Sequence, residues 1–107
     1  MTEFDPEKFE EKYVHYFTEL QGAYKDTFEY MNERYDSDLV HAIDQQVLNE
    51  SEPFYEGDGE FKVELPEDPY GRIQGVLVDE EKFEATLSTY VDRLEGELRR
   101  TFGFEEG

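Results

Sequence analysis

The stretch Pro53-Phe54-Tyr55-Glu56-Gly57-Asp58-Gly59-Glu60-Phe61-Lys62-Val63-Glu64-Leu65 decides the fold. Within it the hydrophobic period changes from helical to extended. Phe61, Val63 and Leu65 alternate with Lys62 and Glu64, the mark of a strand with one covered face. Asp58-Gly59 is a tight-hairpin dipeptide, because both central residues of such a turn need positive φ. Two registers fit: a two-residue loop pairs Phe54 with Val63, and a three-residue loop pairs Tyr55 with Phe61. A slip of one residue turns every side chain to the other face, so the choice decides what the hairpin buries.

On the C-terminal side, Asp68-Pro69-Tyr70-Gly71 has the signature of a type I turn. It leads into a third expected strand over residues 72–78, ending in Val76-Leu77-Val78. Asp79 then caps a helix with Glu80 and Glu81 in its first turn, where acids complement the helix dipole. Phe83, Leu87, Tyr90, Val91, Leu94, Leu98 and Phe102 form its apolar stripe. Arg99, Arg100 and Gly103 mark its end.

On the N-terminal side, Leu39, Val40, Ile43, Val47 and Leu48 predict a helix over about residues 38–50. Before it, Asp5-Pro6-Glu7 opens a helix. Phe9, Tyr13, Phe17, Leu20, Tyr24, Phe28, Met31 and Tyr35, with Tyr16 alongside, extend it to about residue 35 as one aromatic-rich stripe. The expected fold is α+β in the order ααβββα. It is a three-stranded antiparallel meander with helices packed on one face, in a single domain spanning residues 1–107. A chain of this length packs into a body roughly 35 Å across, whereas a straight 30-residue helix is about 45 Å long. The first helix therefore either breaks near its one weak point, Gly22, or projects and pairs with a second copy, which favours a homodimer.

Charge is the strongest compositional signal. Asp and Glu number 29 against 10 Lys and Arg, a formal net charge of −19, and the acids run along the whole chain. Such a charge repels itself in dilute salt. In molar salt the Debye length falls to about 3 Å and the repulsion is screened. The expectation is a salt-adapted cytoplasmic protein. Mimicry of nucleic acid would need the acids on one face, and their spread argues against it. Binding to nucleic acid is not expected, since no basic patch exists to neutralise phosphates. Cysteine is absent, which excludes disulfides and thiolate metal sites and suits an intracellular chain. No basic leader and no long apolar run is found, so no membrane association is expected.

The stretches Asp5-Pro6-Glu7-Lys8-Phe9-Glu10-Glu11-Lys12-Tyr13-Val14-His15-Tyr16-Phe17 and His41-Ala42-Ile43-Asp44-Gln45-Gln46-Val47-Leu48-Asn49-Glu50-Ser51-Glu52-Pro53-Phe54-Tyr55-Glu56-Gly57-Asp58-Gly59 resemble a family of short acidic proteins of halophilic archaea that carries no assigned function. The resemblance covers nearly the whole chain. It implies a high-salt cytoplasm and supplies no activity, cofactor or catalytic residue.

The residues themselves carry little chemistry. His15 stands four residues from both Glu11 and Glu19. His41 stands three from both Asp38 and Asp44. Residues at these spacings share a helix face, so His15, His41 and Asp38 are weak candidates for a metal site. A solvated histidine beside a chance carboxylate is the simpler reading in a chain this acidic, and no metal or cofactor is expected. His41, Asp44, Gln45 and Leu48 form a second face of their helix, either a recognition surface or plainly solvated. Gly57-Asp58-Gly59 precedes a strand, so it lacks the helix start that cradles phosphate. The adjacent acids Glu10-Glu11 and Glu80-Glu81 do not face one another. Nucleophile elbow, Walker loop and dinucleotide fingerprint are all missing.

What remains is the tyrosine content. Tyr13, Tyr16, Tyr24, Tyr30 and Tyr55 suit an interaction surface, where the ring is covered and the hydroxyl stays wet. Core filling in a chain without Trp is the competing explanation. The expected function is a non-catalytic protein-interaction or regulatory module whose partners are a second copy and an unidentified protein. The alternative is a small-ligand or metal-binding protein, possibly an enzyme, with a pocket near His15 or His41.

Overall fold

The computed structural model describes residues 4–104. Residues 1–3, part of the stretch read above as lacking a leader, lie outside it. The elements are α1 (Pro6–Phe9), α2 (Lys12–His15), α3 (Phe17–Arg34), α4 (Ser37–Gln46), a 3-10 turn (Leu48–Glu50), β1 (Glu52–Gly57), β2 (Glu60–Glu64), α5 (Pro69–Arg72) and α6 (Glu80–Thr101). The class is α+β, mostly helical, with one two-stranded antiparallel sheet.

The hairpin takes the register that pairs Tyr55 with Phe61 and Pro53 with Val63. Both proposed loops contribute to it. Asp58 and Gly59 form the tight turn, with φ of 52° and 76°, and a bulge between Tyr55 and Gly57 adds the extra residue. That single inserted residue places Tyr55, Phe61 and Val63 together on the covered face. Pro53 costs the ladder nothing, because its partner Val63 sends its own N–H away from β1, to the Glu95 carboxylate 2.9 Å distant.

This bond also explains why the third strand does not form. The outer edge of β2, which such a strand would have joined, is occupied by Glu95 on α6. The backbone of Gln74 is held from the other side. Its N–H donates to Gln46 Oε1 at 2.9 Å, and its carbonyl accepts from Gln46 Nε2 at 3.0 Å. A side-chain amide from α4 thus satisfies the groups a strand partner would have used. Asp68-Pro69-Tyr70-Gly71 does turn the chain, but as the one-turn helix α5, capped by Asp68. Residues 73–78 are irregular, with Leu77 fully exposed.

The first helix is also different from expectation. It neither breaks at Gly22 nor projects. Gly22 lies inside an unbroken α3, and the chain bends earlier, at Glu10–Glu11 and at Tyr16. Two interactions hold the bend. The ammonium of Lys12, a buried residue, pairs with Glu52 at 2.8 Å and lies 4.8 Å from the Phe54 ring centre. The Tyr16 hydroxyl accepts from the Asp5 N–H at 2.9 Å. Bending brings Phe9 and Tyr16 onto Phe61 and Phe102, with ring centres 5.0–5.8 Å apart, a range that favours edge-to-face aromatic contact.

Helices α3 and α6 make the main layer, with α4 closing its side. The buried residues of α3 are Leu20, Ala23, Thr27 and Met31. Thr27 returns its hydroxyl to the Ala23 carbonyl at 2.7 Å. Against them α6 buries Phe83, Leu87, Tyr90, Leu94 and Leu98. The capping expected of α6 is present: the Asp79 carboxylate accepts from the Lys82 N–H at 2.7 Å, and Gly103 follows the helix with φ of 84°.

Gly22 and Gly59 should respond oppositely to a methyl group. A Cβ at Gly22 meets nothing within 4 Å, so Gly22→Ala should stabilise the fold by about 0.5–1 kcal/mol, the usual gain inside a helix. A Cβ at Gly59 falls 3.0 Å from the Phe104 ring at positive φ, so Gly59→Ala should destabilise by about 1 kcal/mol or more. Denaturant titration of the two variants beside the parent chain checks both signs.

Candidate functional site

α3 buries Leu20, Ala23, Thr27 and Met31 and leaves its aromatics Phe17 and Tyr24 less covered, beside Tyr13 of α2. Tyr13 and Phe17 remain 55% and 49% exposed, and Tyr24 is half-buried. With Leu20 they wall one side of a solvent-open groove of about 470 Å³. The opposite wall comes from Asp44, Gln45 and Leu48, on α4 and the turn after it. Ser51 and Pro53, at the entry to β1, close the end.

The polar groups at the base of the groove are arranged in order. Ser51 donates its hydroxyl to the Leu48 carbonyl at 2.7 Å. Its single proton is thereby used, so the 3.1 Å contact with Tyr24 is one in which the phenol donates. Burial pushes the Tyr24 phenol up to about 12, and Tyr13 and Glu52 add to this. Behind the wall the buried Tyr90 hydroxyl has no hydrogen bond of ordinary geometry. Burial first, and then the Asp44 carboxylate, raise its pKa. Asp44 is itself raised by burial, with His41 and the Tyr90 hydroxyl offsetting part of the effect. Among the described residues no Lys or Arg pairs with Asp44. The groove therefore offers aromatic faces, neutral phenols and one half-buried carboxylate. Ser51, tied down at both ends of its hydroxyl, is no nucleophile, and Tyr24 keeps its proton across the physiological range.

The residues singled out in the sequence fall in several places. Tyr13 and Tyr24 line the groove. Tyr16 is buried among Phe9 and Phe102. Tyr30 lies between two guanidinium groups, Arg34 at 3.9 Å and Arg93 at 3.8 Å from its ring centre. Tyr55 belongs to the hairpin's aromatic cluster, with its hydroxyl accepting from the Gly59 N–H at 3.0 Å. His15 is exposed, 3.8 Å from Glu11. His41 bonds through Nδ1 to the Ser37 carbonyl at 3.0 Å and packs edge-on against Phe28. Asp38 is exposed near the start of α4. Among the described residues no three His, Asp or Glu side chains converge as metal ligands. The helix face of Asp44, Gln45 and Leu48 is brought opposite Tyr13 and Phe17, a juxtaposition that periodicity within either helix did not contain. Val14, 76% exposed, had no signal in the stripe.

The structure is thus that of a mostly helical α+β protein with an aromatic groove whose lining carries a single charged side chain. The chain belongs to the family of unknown function DUF5783, whose model matches residues 1–105. No curated protein and no solved structure matches it significantly. Among the described residues no helix is long and apolar enough to cross a membrane.

Asp44→Asn tests the electrostatics of the groove. A carboxyl whose pKa is raised on folding opposes stability above its unfolded value, and the penalty vanishes as pH falls below that value. The variant should therefore be at least as stable as the parent near neutral pH, with the difference shrinking in acid. A loss of stability at neutral pH on denaturant titration would show that the ionised carboxylate is held favourably instead.

Proposed function

We propose that this chain is a non-catalytic, single-domain interaction module of a salt-adapted cytoplasm, and that it docks a partner protein on Tyr13, Val14 and Phe17 and the groove beside them. The observation that carries this reading is the exposure of three large apolar side chains within five residues of a chain whose mean hydropathy is −0.88. Apolar residues clustered at the mouth of a concavity mark sites of association. Two of the groove's hydroxyls, those of Tyr24 and Ser51, are engaged with each other, which supports binding over catalysis.

Self-association draws less support than a different partner. The sequence argument for a homodimer rested on a projecting helix, and the chain folds that helix back into a body of 43 × 28 × 22 Å. Each copy also carries a formal charge of −19, whose long-range repulsion is screened in molar salt, so the contact face itself has to select the partner. Salt adaptation is supported by the same charge. Stability to denaturant should rise steadily as KCl is raised from dilute to molar, as repulsion is screened; a flat profile would remove the high-salt assignment. A small-ligand role is the second reading, favoured by the groove volume, which lies in the range of roughly 300–1,000 Å³ typical of ligand pockets.

Val14→Glu tests the docking face. Val14 is exposed, so the change should leave stability within about 0.5 kcal/mol. Placing a carboxylate in an apolar contact should weaken association by about 1–3 kcal/mol, roughly five- to 150-fold. Tagged parent and variant, each mixed in molar KCl with lysate of the source cells, should differ in one protein retained stoichiometrically by the parent alone. Identical retention by both would overturn the proposed face, and a concentration-dependent dimer lost in the variant would make the partner a second copy.

A further inference from the structure

We infer that the groove receives a lysine or arginine side chain of the partner, its cation seated against Asp44 and the aromatic walls and its apolar neighbours resting on Val14 and Phe17. This rests on the interaction reading above and specifies the chemistry of the occupant.

Three observations converge on it. Asp44 is the one charged residue in the lining, and no Lys or Arg of the described residues neutralises it. The lining includes the rings of Tyr13, Phe17 and Tyr24, and aromatic rings attract cations through their quadrupoles. The molecule already treats its own cations in this way. Lys12 combines one carboxylate, Glu52, with the Phe9, Tyr13 and Phe54 rings at 4.8–5.5 Å, and Tyr30 is covered on two sides by Arg34 and Arg93. The groove repeats the composition of the Lys12 site, one carboxylate and several rings, with His41 and no Lys or Arg of the described residues acting on Asp44.

Charge complementarity also selects this position over the rest of the surface. A basic partner meets carboxylates everywhere on a molecule with 29 acids. Exposed pairs contribute little once the Debye length falls to about 3 Å in molar salt. A half-buried carboxylate beside ring faces is screened less, so Asp44 can still discriminate a cation where surface acids do not.

The test is a ¹H–¹⁵N NMR titration of the full chain in molar KCl with short capped peptides. One set carries Lys or Arg flanked by Leu, and the other replaces the cation with norleucine. The cationic peptides should move the Gln21, Asp44, Gln45 and Asn49 amides and bind roughly tenfold tighter than the norleucine peptides, a difference of about 1.4 kcal/mol. Asp44→Asn should abolish that preference. Equal binding of both sets, no shift at these amides, or binding of benzylamine without binding of the peptides would each overturn the inference. The interaction reading fails separately: it survives if Val14→Glu alone loses the lysate partner, and falls if neither variant does.

Discussion

Where α3 lies on α6, its buried side chains are Leu20, Ala23, Thr27 and Met31, and the two in the middle are small. Small residues let two helix backbones approach closely, and the larger residues then interdigitate at either end. Thr27 adds no unsatisfied polar group to this contact, since its hydroxyl returns to the Ala23 carbonyl. Much of the remaining arrangement depends on this approach. It leaves Phe17 and Tyr24 of α3 only partly covered, and with Tyr13 of α2 they face α4 across a groove. It also sets α6 over the hairpin, where Glu95 takes the outward Val63 N–H and the sheet ends at two strands.

The N-terminal bend follows from a second constraint. A continuous helix would satisfy its backbone at no cost but would carry Phe9 and Tyr16 past the end of the molecule. Interrupting it at Glu10–Glu11 and Tyr16 sacrifices a few helical hydrogen bonds. In return Phe9 and Tyr16 are buried among Phe61 and Phe102. Burial of two aromatic rings contributes several kcal/mol, against about 1 kcal/mol for each net hydrogen bond. Lys12 becomes buried in the process, with Glu52 and three rings surrounding its ammonium. The ion pair joins α2 to β1 across forty residues of chain, so the strand that closes the end of the groove is held by the segment that supplies its rim.

The candidate site was only half legible beforehand. Asp44, Gln45 and Leu48 could be read as one helix face, and Tyr13, Phe17 and Tyr24 as one stripe, because each set lies within a single helical period. Nothing in either period states that the two sets face one another. Tyr16 and Tyr30 show the converse difficulty. Both have the composition of a binding surface, yet one is enclosed by rings and the other by guanidinium groups contributed from α3 and α6.

By itself the sequence determined what is local: the capped helix α6, the turn at Asp58-Gly59 with its two positive φ values, the existence of helix α4 (Ser37–Gln46), and the charge of −19 that any folded form must carry. These are set by side-chain chemistry and by contacts a few residues apart, which a linear pattern records. Only the tertiary structure decided the hairpin register, the loss of the third strand, the bend before α3, and which side of the aromatic helix stays in water. Each of those turned on a partner more than ten residues away. Phe61 lies against Phe102, Glu95 on Val63, Gln46 on Gln74 and Lys12 on Glu52. Their free energy depends on shape and burial after the chain has closed, which hydrophobic period alone does not encode.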